Sequence, residues 1–483
     1  MVQIWAQLRE SEHVFFVECL EAFKEMLLLF INVSPEMLEI IYFDDENSSE
    51  QIVSPLGKLL RACSTEFTMQ VVVNRLAMYG QDLDGLAMIQ TAWTISIYTH
   101  SICHRIAYQA EASDDKADGE TCAQIFNYSA QKPILSDPSN KCDEQLELSL
   151  LSFFEQFKHT FLTGDGSSCP ECWKALASIS QITTQEHVLG IFLQRSMQYL
   201  KDHISEALVL RSVQLFKELV SGVRTLKLLQ TPELTNYIES SGILGFHIQT
   251  TFQKSKCLTV LFENLGRLFM NDVYQNVPEQ NLMKLLEPIS FYLDGFERNG
   301  NDGSQIDLIV RKLRGILGSI YSSKLFKIFF DWIQPHLPAF SVFLNSPAAV
   351  NGPVNTLKLV RDLVLNKVNR LVFDTAHEYP ILVFREAMSI ILPIVMRLEA
   401  MLTSQSLSET VWVQQCLKPI IVLMDTFKNA INSRAIPFGI LRLYGDGCLK
   451  EMIQSVFVLS SFIRPEQLLQ YSKLGTVIIL KVL

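Results

Sequence analysis

The sequence predicts an all-α fold, an α–α superhelix of stacked helical hairpins, and three observations carry that prediction. Apolar residues recur at three- and four-residue steps along almost the whole chain, the period of a helix buried on one side. No stretch alternates convincingly with the two-residue period of a half-buried strand. Glycine and proline number only 21 and 17 in 483 residues, which suits long helices with short connections better than a sheet-rich chain. Apolar residues make up 48% and charged ones 19%, so most of the chain has the composition of a packed core rather than of a disordered segment.

The first apolar segment begins at Val14 and is interrupted by Glu18, Glu21, Lys24 and Glu25. Further along, Leu146, Leu150, Phe153, Phe154, Phe157 and Phe161 form one broad stripe. Ile306, Ile309, Leu313 and Ile316 form another, as do Leu325, Ile328, Phe329 and Trp332. Leu357, Val360, Leu363, Val364 and Val368 follow, and finally Leu449, Met452, Ile453, Val456 and Leu459. Short breaks at 162–171, 298–305, 345–353, 432–437 and Arg464-Pro465 separate such stripes. Two acidic stretches, 44–51 and 111–120, read as surface loops.

The pattern gives about eighteen to twenty-two helices, with stripes wider than a coiled-coil seam. Stacked hairpins answer that need, because each pair buries its inner face against the pairs on either side. Ankyrin and tetratricopeptide consensus residues are missing, so degenerate HEAT/armadillo-like repeats of about 40 residues fit by exclusion. Residues 1–483 are expected to form a single solenoid, with 1–74 more divergent. A non-repetitive helical fold is the alternative on spacing alone.

A net charge of −10 opposes a nucleic-acid partner, and the chain has no basic run for lipid headgroups. The start lacks the layout of a signal peptide, and the apolar runs 388–396 and 476–483 are too short to span a bilayer, so no membrane insertion is expected. Ten scattered cysteines read as reduced thiols rather than as a disulfide framework.

Four motifs invite a chemical reading. The stretch 438–452 looks at first like strand, glycine turn, helix, the start of a phosphate-binding loop. A dinucleotide site needs a third glycine where Lys450 stands, and a Walker loop needs different spacing followed by Lys-Ser/Thr. The better reading is a corner between helices: Gly445 takes a left-handed turn, Asp446 caps the next helix, and Leu449 lies within it. His100 and His104 stand one turn apart beside Cys103, but Ser101 occupies the glutamate position of a zincin and no second ligand pair follows. Cys169 and Cys172 have redox or zinc-knuckle spacing without a second CxxC, and lie in a Gly/Ser-rich loop whose exposed thiols could oxidise. The stretch 297–307 has neither the glycine nor the closing glutamate of a calcium loop. Glu111, Asp114, Asp115, Asp118 and Glu120 concentrate charge that could meet a basic partner, although a solvated loop is the simpler reading. No nucleophile–base pairing stands out, so no catalytic, cofactor or metal residue is assigned and no enzyme is expected.

Five segments resemble a known family: 146–158, 265–273, 312–335 ("KLRGILGSIYSSKLFKIFFDWIQP"), 369–386 ("NRLVFDTAHEYPILVFRE") and 438–447 ("FGILRLYGDG"). In this order and approximate spacing they are similar to the central and C-terminal part of the exportin-7-like nuclear export receptors of the importin-β (karyopherin) superfamily. The likeness extends more faintly to 75–98. It implies a right-handed superhelix of HEAT repeats that binds Ran-GTP, protein cargo and nuclear pore proteins and shuttles between nucleus and cytoplasm. The family is longer, and its N-terminal Ran-binding repeats have no counterpart here, so a partial chain is expected and no Ran-contact residue is carried over. A HEAT-repeat scaffold without Ran dependence is the alternative.

Overall fold

A computed structural model describes residues 14–34, 36–39, 48–63, 65–77, 85–105, 112–135, 137, 139–162, 169–202, 205–221, 227–228, 231–234, 257–270, 277–299, 303–338, 340, 352–371, 378–404 and 409–479. Among them every regular element is a helix. The chain divides into two compact units, Met1–Gly242 and Ile243–Leu483, each taken by itself below.

The first unit contains α1 (Val14–Ile31), α2 (Ser48–Ala62), α3 (Thr65–Ala77), α4 (Gly85–Cys103) and α5 (Ala112–Gln131). It continues with α6 (Lys141–Phe161), α7 (Pro170–Ser180), α8 (Gln185–Asp202) and α9 (Glu206–Val220). Helices pack mainly on their next-but-one neighbours, α2 on α4 and α4 on α6 in one row and α3 on α5 and α5 on α7 in another, while α6 packs on α9, three places on. That is the signature of stacked helical hairpins, in which each row extends by one helix per repeat.

The aromatic stripe of α6 forms the core between the rows. Phe153, Phe154 and Phe157 are fully buried, as are Phe126 from α5 and Phe192 from α8. Phe154 and Phe192 stack with centroids 4.6 Å apart, and Phe126 meets Phe157 edge-on at 5.1 Å. Offset and edge-on geometries of this kind add about 0.5–1.5 kcal/mol per pair beyond burial.

The second unit contains α10 (Cys257–Phe269), α11 (Pro278–Asn299), α12 (Gly303–Ser319), α13 (Ser323–Ile333), α14 (Gly352–Val364) and α15 (Tyr379–Ser404). A π-helical turn, Trp412–Leu417, leads into α16 (Lys418–Asn432). Then come α17 (Phe438–Leu443), α18 (Cys448–Ser461), α19 (Pro465–Gln470) and α20 (Ser472–Ile479). The same next-but-one packing joins α10, α12, α14 and α16 in one row, and α11 to α13 in another.

Arg370 locks two turns of this row. Its guanidinium donates to the carbonyls of Leu317 at 2.9 Å and Leu365 at 3.1 Å, and to that of Asp362. It also lies 4.8 Å over the Phe326 ring. The accepting carbonyls close α12 and α14, the negative ends of those helices, where a cation is favoured.

Several sequence expectations shift. The acidic stretch 112–120 is no loop: it forms the first turns of α5, while Glu111 lies outside the described residues. Of the other acidic stretch, residues 48–51 open α2, and 44–47 lie outside the described residues. The stripe of α13 runs through Leu325, Phe326, Phe329, Phe330 and Ile333, leaving Ile328 and Trp332 half-buried. Val368 falls past the end of α14, 66% exposed and left-handed at φ 57°. Ile453 faces solvent instead of core.

Candidate interaction surface

The glycine corner is a helix–helix turn. α17 ends at Leu443, Gly445 takes φ 68°, and α18 starts at Cys448. The Asp446 carboxylate, one residue before the Gly447 N-cap, accepts from the Cys448 amide at 2.8 Å in an Asx turn and so satisfies a first-turn amide of α18. That hydrogen bond, helped by Arg385 at 3.4 Å, holds the Asp446 carboxyl below its ordinary range. A side chain at Gly445 would meet nothing within 4 Å, so its left-handed backbone, not space, explains the glycine. The corner is open to partners: Leu443 is 80% exposed and Tyr444 83%. Ile453 and Phe457, one turn apart on α18, are also exposed.

The other motifs are structural. His100 sits near the end of α4 and His104 just beyond it, and burial followed by Lys58 and His100 lowers the His104 imidazole. Among the described residues no group of three or more His, Cys, Asp or Glu side chains is arranged to hold a metal. Cys169 and Cys172 are buried rather than exposed, because Cys169 is the N-cap of α7 and Cys172 faces α5. Burial raises the Cys172 thiol well above its usual range, which opposes thiolate chemistry. The nine described cysteines are free thiols. The stretch 297–307 joins α11 to α12, and residues 300–302 lie outside the described residues.

Two buried ion networks were not anticipated from the sequence. In one, Asp118 of α5 accepts both Arg61 of α2 at 2.8 Å and Arg105 at 3.1 Å, while Asp115 also pairs with Arg105. Thr65 donates to Asp114 at 2.8 Å. Burial pushes the Asp118 carboxyl up against the pull of Arg61 and Arg105. Gly119 lets α5 come close to α7: a methyl there would fall 2.6 Å from the Cys172 Cα.

In the other network, fully buried Glu147 accepts from Lys132 at 2.6 Å and from Arg195 at 2.8 Å. Burial alone would raise the Glu147 carboxyl, but Arg195 and Lys132 outweigh it and hold the group below its ordinary range. The sequence carried one signal: Glu147 lies within the apolar face that runs Leu146, Leu150, Leu151 and Phe154. Together these networks tie neighbouring hairpins to each other.

A family model described as "Exportin-7-like, TPR domain" matches residues 37–253. Exportin-7-B of Xenopus laevis is 28% identical over 405 residues, covering 79% of this chain and 36% of the relative. The chain is similar to the exportin-7-like proteins. Ran-binding protein 17 of Homo sapiens is 26% identical, and Exportin-7 of Dictyostelium discoideum 23%, each covering 80% of the chain. The chain spans a little over a third of the length of the curated relatives it matches. No solved structure matches it. The family's description names a TPR domain, although the chain lacks tetratricopeptide consensus residues; tetratricopeptide and HEAT repeats are both stacked helical hairpins. The matched region holds α2 to α9 and both ion networks.

Proposed function

We propose that the chain acts within a nuclear export receptor, binding the GTP form of Ran and protein cargo through its helical faces and shuttling through the nuclear pore. The carrying observation is the likeness to exportin-7 and Ran-binding protein 17 over four-fifths of the chain. The relatives' names describe an exportin and a Ran-binding protein, and the proposal is a binding role without catalysis. The chain is a partial receptor in this reading, and distributed contacts along several repeats supply its affinity. Coupling between Ran and cargo through such a scaffold is on the order of 1–3 kcal/mol.

The test measures binding of the full receptor that contains this chain to Ran loaded with a non-hydrolysable GTP analogue and to Ran loaded with GDP. Preference for the GTP form by about tenfold or more supports the reading, since linkage of that size is what directional release requires. Equal affinity, or none for either form, sinks it and favours a scaffold without Ran dependence.

A further inference from the structure

The solvent side of the α12–α14–α16 row carries a positive stripe on a chain whose net charge is −10. Asp307, Arg311 and Arg314 recur at the half-buried positions of α12, between residues that are buried. Lys358, Arg361 and Asp362 do the same on α14, and Lys418, Asp425 and Lys428 are among the half-buried or exposed positions of α16. Six cations therefore face three carboxylates.

Those carboxylates are already engaged. Asp307 takes Arg311 at 2.8 Å. Asp362 takes Arg314 from the neighbouring helix at 2.9 Å and Arg361 at 2.7 Å. Asp425 takes Arg361 across the next helix gap at 3.5 Å and also pairs with Lys428. Lys358 stands in the middle of the stripe without a carboxylate partner among the described residues. Burial, then Arg314, Arg361, Arg311 and Lys418, press its ammonium down to about 8. The result is a half-desolvated positive field whose internal counter-charges are used up, and its complement is an anion supplied from outside.

We infer that this stripe is a docking surface for an acidic polypeptide segment laid across α12, α14 and α16. Packed helices lie about 8–10 Å apart, and a polyproline-II segment advances about 3.1 Å per residue with three residues per turn, so carboxylates on every third residue share one face and meet each helix in turn. A nucleic acid would bring a continuous line of phosphates up to a chain of the same sign, and long-range repulsion disfavours it. This surface stands independently of any Ran dependence.

The test is fluorescence anisotropy of the full chain with a labelled peptide carrying aspartate at every third position, beside the same peptide with lysine. Expected are binding of the aspartate peptide alone, weakening as NaCl rises. Lys358→Glu with Lys418→Glu lowers affinity about tenfold or more, whereas Lys116→Glu in the first unit leaves it unchanged. Lys358→Met with Lys418→Met, which reverses no charge and keeps the stems, gives a smaller loss in the same direction. Circular dichroism of each variant reports that the helices remain. Equal binding of both peptides, indifference to both double substitutions, or tighter binding of a single-stranded oligonucleotide of matched charge overturns the inference.

Discussion

Replacing Glu147 by glutamine removes one negative charge from the best-enclosed ion network and changes little else. The wild-type carboxylate is fully buried, and the Lys132 and Arg195 side chains are 5% and 7% exposed. Lys132 retains Asp143 at 2.5 Å, so its loss is partial. Arg195 retains the Ser129 carbonyl at 2.5 Å and hydroxyl at 3.2 Å, both neutral acceptors. Breaking a buried pair by removing one partner costs about 3–5 kcal/mol, and the surviving contacts of Lys132 place this case near 3 kcal/mol. Urea unfolding followed by circular dichroism measures the total, and hydrogen exchange in α6 and α8 assigns it to the network, since a chain of two units need not unfold in one step.

The effect also depends on pH, with a definite sign. The folded carboxyl of Glu147 lies below its unfolded value of 4.5, so its contribution is complete above that pH and is lost as pH falls through the folded value. The stability gap between Glu147→Gln and wild type therefore narrows on acidification. Adding Arg195→Met to Glu147→Gln recovers part of the loss, because the uncompensated guanidinium is gone. A single-variant cost below about 1 kcal/mol, or a gap that widens toward acid, refutes the account of this network.

Arg370→Met removes hydrogen bonds to the closing carbonyls of α12 and α14, and a loss of about 2–4 kcal/mol is expected in urea unfolding of the second unit. Val368→Gly relieves a β-branched residue from a left-handed conformation, and a gain of about 0.5–1 kcal/mol is expected in the same measurement. Gly445→Ala incurs about 1 kcal/mol from its positive φ alone, since no neighbour is within 4 Å of the added methyl. Gly119→Ala forces α5 away from α7 and costs about 1–3 kcal/mol, with faster hydrogen exchange in both helices.

The helical periodicity made the rows legible because burial on one face leaves a local trace: Phe153 and Phe157 declare their side by spacing alone. The corner at 445–447 was legible for the same reason, its backbone demand and its first-turn amide both being satisfied within a few residues. The acidic turn of α5 was not. Its carboxylates are neutralised by Arg61, 57 residues before Asp118, and by Arg105, and nothing local to 112–120 announces those partners. Val368 was misplaced because a period extrapolates past the point where a helix stops. The stripe of α12, α14 and α16 was invisible for a related reason: its cations are scattered in the sequence and gathered only by stacking.

Next-but-one packing has a consequence for how such a chain comes into being. The ties between hairpins join residues a few dozen positions apart, such as Glu147 with Arg195 and Arg314 with Asp362, each separated by 48. A nascent polypeptide can therefore complete each hairpin's docking soon after it clears the ribosome, using only what has already been made. Within each unit, assembly can run vectorially, like a zip closing behind the point of synthesis.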